Sequence, residues 1–505
     1  MEVLEQLGLG FSIALTPQNL GLAFVGVFIG TVIGILPGIG PGAGVALLLP
    51  VTFGLSPVSG LIMLAGIYYG AMYGGTLTSV LINTPGESSS VMTTLDGYQL
   101  ALQGRAGAAL GIAAIGSFVA GTLGVVALML AAPPIADLAV QFGPPEYFAL
   151  AVLGLLTLSA LSSTSMVKAV LMAVFGLAIA TVGLDPLVGE QRFTFDNIEL
   201  SDGIPFLPVA VGLFGIAEVL ANMEIPVRLE PIKARLSGLM PTWQDLIATR
   251  FSILRGSIIG FVVGVLPGAG ATMASFIAYG IERRSARDPS RFGKGAIEGV
   301  AAPESANNAA TAGAMVPLLT LGIPGSSTTA ILLGAFILYG LRPGPLLLSE
   351  HADVFWGLIA SMYIGNVMLL VLNLPLVPVF ASLLRFPYAV IAAGILGISI
   401  AGVYSLENSL FDVGIAVAFG VIGYAMKRFD YPAAPLVLAL VLGPLLERSL
   451  RQTLTISQGD PAIFAMRPAS AVMLAVAAVV LAAPLARGLL DRSPFRTRTR
   501  KELIP

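Results

Sequence analysis

The chain carries one helix-breaking motif twice, each time inside a long apolar run. The pattern Gly-x-x-x-Gly-x-Leu-Pro-Gly-x-Gly begins at Gly30 and again at Gly260, a shift of 230 residues. A second proline signal follows each copy, at Pro85 and at Pro324. Proline removes a helical hydrogen bond and glycine lets the backbone leave helical geometry, so each signal interrupts an apolar helix. Two halves interrupted at matching places predict a repeated membrane fold with its binding site at the interruptions.

Composition places the chain in the membrane. It has 505 residues, of which 56% are hydrophobic and 11% charged, with a mean hydropathy of +0.91. A soluble domain carries about 25% charged residues. The apolar runs are roughly 17 to 25 residues long, as a spanning helix requires, and the alternating ~10-residue segments of porins are absent. We expect an all-α polytopic membrane protein of about 12 spanning helices, with half-helices or hairpin arms at 42–54 and 270–281.

The repeat extends beyond its two motifs. The shift is 230 residues at the first signal but 239 between Pro85 and Pro324, so the second half holds about nine extra residues, in the basic loop 283–294. The predicted organisation is a first transmembrane repeat at 18–222, a polar connector at 223–250, a second repeat at 251–448, an extra C-terminal helix at 469–490 and a basic tail at 491–505.

Basic loops predict the orientation, because cytoplasmic loops are enriched in Lys and Arg. The 283–294 loop holds five such residues and the tail after 490 is also basic, so both are expected in the cytoplasm. The first-half counterpart of the loop, at 53–57, has no basic residue. It is therefore expected on the opposite face, which would make the two repeats inverted.

The Leu-Pro-Gly motifs predict irregular backbone within the membrane. Backbone groups freed from a helix must find partners in protein or in a wet cavity, because lipid offers none. A simple kink between packed helices is the alternative, but duplication of the motif favours a cavity. The candidate substrate-binding residues from these motifs are Pro37, Gly38, Gly40, Gly268 and Gly270.

The second proline signals predict helix N-termini with hydroxyl-bearing caps. Such an end presents unpaired N–H groups and positive dipole charge, which suits a carboxylate. Two such ends facing one another could hold a di- or tricarboxylate from both sides. The alternative is a pair of capped helix starts at the membrane surface. The candidate substrate-binding residues here are Thr84, Pro85, Gly86, Ser88, Ser89, Pro324, Gly325, Ser326, Ser327 and Thr328.

A polar stretch opens one apolar span of the second half. Asn307 and Asn308 follow Glu304 within one helical turn and are candidates for both substrate and sodium binding, together with freed carbonyls. Glu87 and Glu304 are further candidates for the coupling ion. A carboxylate here could carry a proton instead, or Glu304 could only cap and orient its helix. Glu218 lies close to a predicted span end and is expected at the membrane interface.

Several function classes are disfavoured. The chain has no cysteine and a single histidine, His351, which excludes thiolate catalysis and multi-histidine metal sites and leaves only carboxylate chemistry to a membrane enzyme. The sequence contains no Gly-x-x-x-x-Gly-Lys-Ser/Thr loop, which argues against transport driven by ATP hydrolysis in this chain. Nothing in it suggests nucleic-acid binding. We expect no cofactor. A channel is the remaining rival, and saturable, ion-coupled accumulation separates a carrier from it.

The motifs resemble those of the large membrane subunit of the tripartite tricarboxylate transporters, over nearly the whole chain. The most specific pieces are Gly34-Ile-Leu-Pro-Gly-Ile-Gly-Pro-Gly42, Asn83-Thr-Pro-Gly-Glu87, Gly264-Val-Leu-Pro-Gly-Ala-Gly270 and Ala302-Pro-Glu-Ser-Ala-Asn-Asn308 leading to Leu321-Gly-Ile-Pro-Gly-Ser326.

The resemblance implies a multi-pass subunit of a bacterial inner-membrane uptake system driven by an ion gradient. Its partners would be a small membrane subunit of about four spans and a periplasmic solute-binding protein that delivers a carboxylate. Substrates in such systems include citrate and other tricarboxylates, dicarboxylates and aromatic acids. The expected coupling ion is Na⁺, with H⁺ as the alternative, and the expected mechanism is alternating access, of which an elevator-type movement is the sharper version.

Overall fold

The computed structural model describes residues 2–36, 38–161, 165–185, 188–224, 240–383 and 388–491. Helices dominate these ranges, and the strands described there are a two-residue antiparallel pair, Gly183–Leu184 with Gln191–Arg192. Nine helices of the described part are long and apolar enough to cross a membrane. The prediction of an all-α polytopic membrane protein is confirmed.

The described chain up to residue 224 contains ten helices. They are α1 (Glu2–Ala14), α2 (Pro17–Ile35), α3 (Pro41–Thr52), α4 (Pro57–Ile82), α5 (Val91–Leu102), α6 (Ala106–Ala139), α7 (Pro144–Leu161), α8 (Met166–Ala180), α9 (Phe206–Ala210) and α10 (Ala217–Met223). A 3₁₀ turn at Ser88–Ser90 precedes α5, another lies at Ile198–Leu200, and a π-helical segment at Val211–Ile216 joins α9 to α10.

The rest of the described chain adds eleven helices. They are α11 (Trp243–Val265), α12 (Gly270–Ser285), α13 (Glu298–Leu321), α14 (Ser327–Leu338), α15 (Leu347–Glu350), α16 (Ala352–Leu383), α17 (Tyr388–Glu407), α18 (Leu410–Arg428), α19 (Ala433–Ile456), α20 (Ile463–Met466) and α21 (Pro468–Asp491). A 3₁₀ turn at Pro289–Arg291 lies in the basic loop. Residues 225–239 of the predicted connector and 492–505 of the predicted tail lie outside the described residues.

Glycines bring α2 against α4 and, in the same way, α11 against α13. A Cβ atom at Gly30 would overlap the carbonyl oxygen of Ile67, and one at Gly260 would overlap that of Ala306. The glycines are 230 residues apart and their partners are 239 apart, the two shifts found in the sequence. Small residues allow such close helix approach within a membrane. The pairing of the first two long helices is therefore built alike in both halves.

Replacing Gly30 by leucine is expected to disrupt this pairing, because the neighbouring group is rigid backbone. Overpacking of this kind costs about 1–3 kcal/mol or more. The matched control is Gly21→Leu on the same helix, where nothing lies within 4 Å of an added Cβ. In detergent, size-exclusion profiles and thermal melting should show loss of the monodisperse species for Gly30→Leu alone. Equal behaviour of the two variants would contradict the packing.

The equivalent helices α4 and α13 run in opposite directions, since the end of α4 lies beside the start of α13 and Thr76, further inside α4, donates to Glu304, further inside α13. Gly97 of α5 lies against Val80 in the last turn of α4 and Val300 in the first turn of α13. Because α4 has 26 residues and a helix rises 1.5 Å per residue, the start of α4 lies roughly 35 Å from the start of α13. The hairpin α2–α3 leads into the start of α4, and the hairpin α11–α12 leads into the start of α13. The two hairpins therefore lie at opposite ends of the molecule.

The basic loop after α12 is fixed to α5 by one buried carboxylate. Asp96 Oδ1 accepts backbone N–H bonds from Gly293, Gly295 and Ala296 at 2.8, 2.9 and 2.8 Å. Asp96 Oδ2 accepts the Tyr279 hydroxyl at 2.9 Å. The additional residues of the second half thus fold around an acid supplied by the first half.

Asp96→Asn is expected to loosen this loop, because hydrogen bonds to an ionised acceptor are roughly twice as strong as neutral ones. The Gly293, Gly295 and Ala296 amides should exchange about 10–100-fold faster with deuterium, for a loss of about 1.5–3 kcal/mol. Asp288→Asn is the control, since Asp288 is exposed and bonds Ser290 within its own turn. Unchanged protection in Asp96→Asn would show that the loop is held by other contacts.

Candidate functional site

The four helix breaks open onto one cavity of about 760 Å³. The predicted residues that line it are Gly38, Gly40, Pro85, Gly86, Glu87, Ser88, Gly268, Gly270, Ser326, Ser327 and Thr328. We call the surface formed by residues 38–43, 85–88, 268–273 and 326–328 the tip wall. Two signals from each half, separated by more than two hundred residues, therefore contribute to a single site.

The tips of the breaks are joined by equivalent backbone hydrogen bonds. Gly38 donates its N–H to the carbonyl of Gly86 at 3.1 Å, and Gly268 donates to that of Gly325 at 2.9 Å. Gly38 and Gly268 have φ angles of +85° and +86°, a region that glycine adopts without steric cost. Each Leu-Pro-Gly break thus turns back in the left-handed region and is held to the second break of its own half.

Helix N-termini converge on the cavity from all four breaks. The first residues of α3, α12 and α14 line it at Pro41, Gly270 and Ser327, and Ser88 begins the turn that leads into α5. The first N–H groups of a helix have no partner within the helix, and each N-terminus carries roughly half a positive charge. The tip wall is therefore a surface of donors and positive potential, suited to an anion such as a carboxylate.

A hydroxyl caps the helix at the cavity in the second half, whereas the expected hydroxyl cap of α5 is wrong, because its N-cap residue Ser90 makes no side-chain capping bond. Ser326 Oγ accepts from the Thr329 N–H at 3.2 Å, and the Ser326 N–H donates to Thr329 Oγ1 at 2.8 Å. Ser88 Oγ and Thr272 Oγ1 are 2.8 Å apart, which links the turn before α5 to α12. Ser326 thus caps its helix, as the alternative of a simple capped helix start predicts, but it also lines the cavity.

Other predicted substrate residues lie behind the tip wall. Pro37 is outside the described residues. The remainder do not line the cavity and are Thr84, Ser89, Asn307, Asn308, Pro324 and Gly325. Gly325 supplies the carbonyl that fixes Gly268, and Ser89 donates to Glu87. Gly325 and Ser89 thus support the tips from behind.

The coupling-ion candidates form a buried polar cluster beside the tips. Glu304 is fully buried and accepts hydrogen bonds from Thr76 Oγ1 at 2.7 Å and from Thr93 Oγ1. Asn307 Nδ2 lies 3.5 Å from Glu304 Oε2, and Asn308 Nδ2 donates to Ser117 Oγ at 2.7 Å. The cluster brings a carboxylate from the second half together with hydroxyls from the first.

Neither of the two candidate acids has a cationic partner in the described part of the chain. The ion pairs recorded there do not include Glu87 or Glu304. The described residues also contain no group of three or more metal-binding acids, histidines or cysteines.

Apart from Tyr68 and Met72 of α4, the remaining lining residues form a second surface, which the sequence did not reveal. This helix wall consists of Leu158, Leu161, Leu213, Phe214, Glu218, Gly423, Lys427, Tyr431, Pro432, Ala433 and Ala434. It carries one ion pair, between Lys427 and Glu218. Glu218, which the sequence suggests for the membrane interface, lines the cavity, because α10 packs against α18. No local signal identifies the pair, since its partners are 209 residues apart.

A family model, described as "Tripartite tricarboxylate transporter TctA family", matches residues 20–438. The chain belongs to this TctA family. It is therefore a membrane component of the tripartite tricarboxylate transporters, as the motifs indicated, and a multi-pass membrane protein.

Curated relatives of this TctA family member come from Agrobacterium vitis. One, named "Uncharacterized 52.8 kDa protein in TAR-I ttuC' 3'region", is 49% identical over 484 residues, 95% of this chain and 96% of that protein. Another, named "Uncharacterized protein in TAR-II ttuC' 3'region", is 46% identical over 220 residues, 44% of this chain and 91% of that protein. No solved structure matches the chain.

Proposed function

We propose that this chain is the large transmembrane subunit of a binding-protein-dependent secondary transporter. It imports tricarboxylates such as citrate, or related organic carboxylates, and uses a Na⁺ or H⁺ gradient. The observation that carries this proposal is the convergence of helix N-termini from all four breaks on one cavity. Half-helix N-termini directed at a central cavity are the means by which transporters bind anionic substrates.

The same architecture supports alternating access as the proposed mechanism. The hairpins α2–α3 and α11–α12 lie at opposite ends of the molecule, and each ends in a tip that lines the cavity. Movement of one hairpin end relative to the helix wall would expose the cavity to one side at a time. A more specific form of this mechanism is an elevator-type displacement, in which both hairpins move together relative to the helix wall. Crosslinks that fix both hairpins to the helix wall should then stop transport.

The buried cluster around Glu304 supports a coupling-ion site. It lies behind the second break of the first half, whose Glu87 lines the cavity. A cation held between these acids would lower the electrostatic cost of bringing a polyanionic substrate to the tips. Substrate and ion would then bind best together, which is the requirement for symport.

The remaining components are proposed from the family. They are a small membrane subunit of about four spans and a periplasmic solute-binding protein, in a bacterial inner membrane. The five Lys and Arg residues of the 283–294 loop support a cytoplasmic position for that loop. The C-terminus is proposed to be cytoplasmic as well.

The test is uptake of labelled citrate into proteoliposomes that hold this chain, the small subunit and its binding protein. We expect accumulation above equilibrium with an inward Na⁺ gradient, or with a proton gradient if H⁺ is the coupling ion. Uptake of another carboxylate that the binding protein carries would change only the substrate. Equilibration that ignores both gradients would indicate a channel and would overturn the carrier. Independence from the binding protein would overturn the tripartite part of the proposal.

A further inference from the structure

The helix wall places one cation in an otherwise anionic part of the cavity. Among the described lining residues, Lys427 is the only lysine or arginine, and the carboxylates are Glu87 and Glu218. Lys427 lies in the last turn of α18 and pairs with Glu218 of α10. Its side chain keeps 41% exposure, whereas the Glu218 side chain keeps 10%. The ammonium is thus the accessible member of the pair.

The pair is connected to the first tip. Asn222 Nδ2 donates to Glu218 Oε1 at 3.3 Å, so both oxygens of Glu218 have partners. The Asn222 side chain lies directly against Gly38, where an added Cβ would stand 2.8 Å from its Oδ1. An ammonium has three donors, and Glu218 takes one of them within the described residues. Lys427 therefore has donors left for an anion in the cavity, at a position next to the tip wall.

We propose that Lys427 pairs with a second carboxylate of the substrate while the first is held at the helix N-termini of the tip wall. The site would then select anions that carry at least two carboxylates. This inference rests on the proposed function and makes its substrate class more specific. Glu218 would keep the ammonium at the cavity when the substrate is absent.

Charge balance supports this assignment. Four helix N-termini contribute roughly +2 elementary charges to the tip wall, which suffices for one carboxylate and for Glu87. A second substrate carboxylate would meet Glu218 across the helix wall. Without the ammonium, this side of the cavity would repel it. A monocarboxylate makes no use of Lys427 and would bind by the tip wall alone.

The experiment measures binding of citrate, succinate and propionate to the purified complex of this chain with the small subunit, by isothermal titration calorimetry. The variants are Lys427→Met, Lys427→Arg, Glu218→Gln and the double variant Lys427→Met/Glu218→Gln. The matched control is Arg428→Met. Arg428 is the adjacent, more exposed cation, it pairs with Glu224 and it does not line the cavity.

We expect Lys427→Met to weaken citrate and succinate binding at least tenfold and to leave propionate binding within twofold. Lys427→Arg should recover most of the loss, because it restores the charge. Glu218→Gln should retain or tighten polycarboxylate binding, and the double variant should stay as weak as Lys427→Met. Arg428→Met should bind all three acids as the unmodified chain does.

The alternative is an ion pair that only stabilises the packing of α10 against α18. In that case Lys427→Met and Glu218→Gln would lower the melting temperature together, and the double variant would recover binding. That result would overturn the inference, as would unchanged citrate binding in Lys427→Met. If the unmodified complex bound propionate but neither polycarboxylate, this inference would fail and the proposed function would stand. If the complex bound none of the three acids and took up no carboxylate that its binding protein carries, the proposed function itself would fail, so the two failures are distinguishable.

Discussion

Gly268→Ala is expected to abolish carboxylate uptake, with a fall in maximal rate of at least about 100-fold. Gly268 has a φ angle of +86°, where a side chain costs about 1–3 kcal/mol. An added Cβ would also overlap the backbone of α7, because it would lie 2.7 Å from the Leu158 nitrogen and 2.8 Å from the Thr157 carbonyl oxygen. Backbone cannot move aside as a side chain can. The tip must therefore shift, and its hydrogen bond to Gly325 must lengthen.

Gly38→Ala provides a graded comparison. Gly38 has nearly the same φ angle as Gly268, +85°, but a Cβ atom added there would meet the side-chain amide of Asn222. This flexible group can rotate away, so we expect a smaller loss of about 10-fold, which corresponds to about 1.4 kcal/mol. Gly280→Ala on α12 is the control, because nothing lies within 4 Å of an added Cβ there. Uptake rates in proteoliposomes with equal amounts of folded protein measure the series. Full activity of Gly268→Ala would contradict the backbone constraint.

Glu304→Gln is expected to remove gradient-driven accumulation. Glutamine keeps the size of the side chain but deletes the buried negative charge. It leaves one oxygen acceptor for Thr76 or Thr93 and turns the other position into an amide that donates to the remaining hydroxyl. A buried charge without a cationic partner in the described residues is costly unless an ion or a proton neutralises it. We therefore expect the steady-state accumulation ratio to fall to about one, since a neutral site cannot couple the gradient.

The measurement compares uptake under an inward gradient with exchange of labelled for unlabelled substrate at equilibrium. Exchange does not require net ion movement, so it should persist in Glu304→Gln. The control is Glu298→Gln on the same helix, where the carboxylate pairs with Arg291 at the exposed loop. A Glu304→Gln protein that still concentrates substrate against its gradient would move the coupling site elsewhere, and Glu87→Gln would be the next variant to test.

The sequence predicts the parts of this fold that depend on local signals. Proline and glycine break helices wherever they occur in an apolar run, so the two Leu-Pro-Gly motifs correctly locate the starts of α3 and α12. Of the four matched glycine positions, the first two, Gly30 with Gly260 and Gly34 with Gly264, correspond to helix pairs that pack alike. The predicted domain boundaries stay predictions. The roles of the individual site residues do so as well, because they concern binding and movement rather than position.

The helix wall shows where sequence analysis ends. Glu218 follows the π-helical segment Val211–Ile216, which changes the direction of the side chains after it. No composition signal marks such a segment. Lys427 lies beside Arg428 at a helix end, where basic residues are common for reasons of dipole and interface. Only the packing of α10 against α18 distinguishes the lysine that lines the cavity from its exposed neighbour.

The two hydrogen bonds that join the tips, Gly38 to Gly86 and Gly268 to Gly325, have a consequence for mutational surveys. Both partners in each bond are backbone groups, so truncation of side chains leaves the bonds unchanged. Conventional alanine scanning shortens side chains and often leaves glycines out. It would therefore record almost no loss of activity at these four glycines. A scan that adds a methyl group to each glycine would detect these positions at once. The most constrained residues of this protein are those that have no side chain to remove.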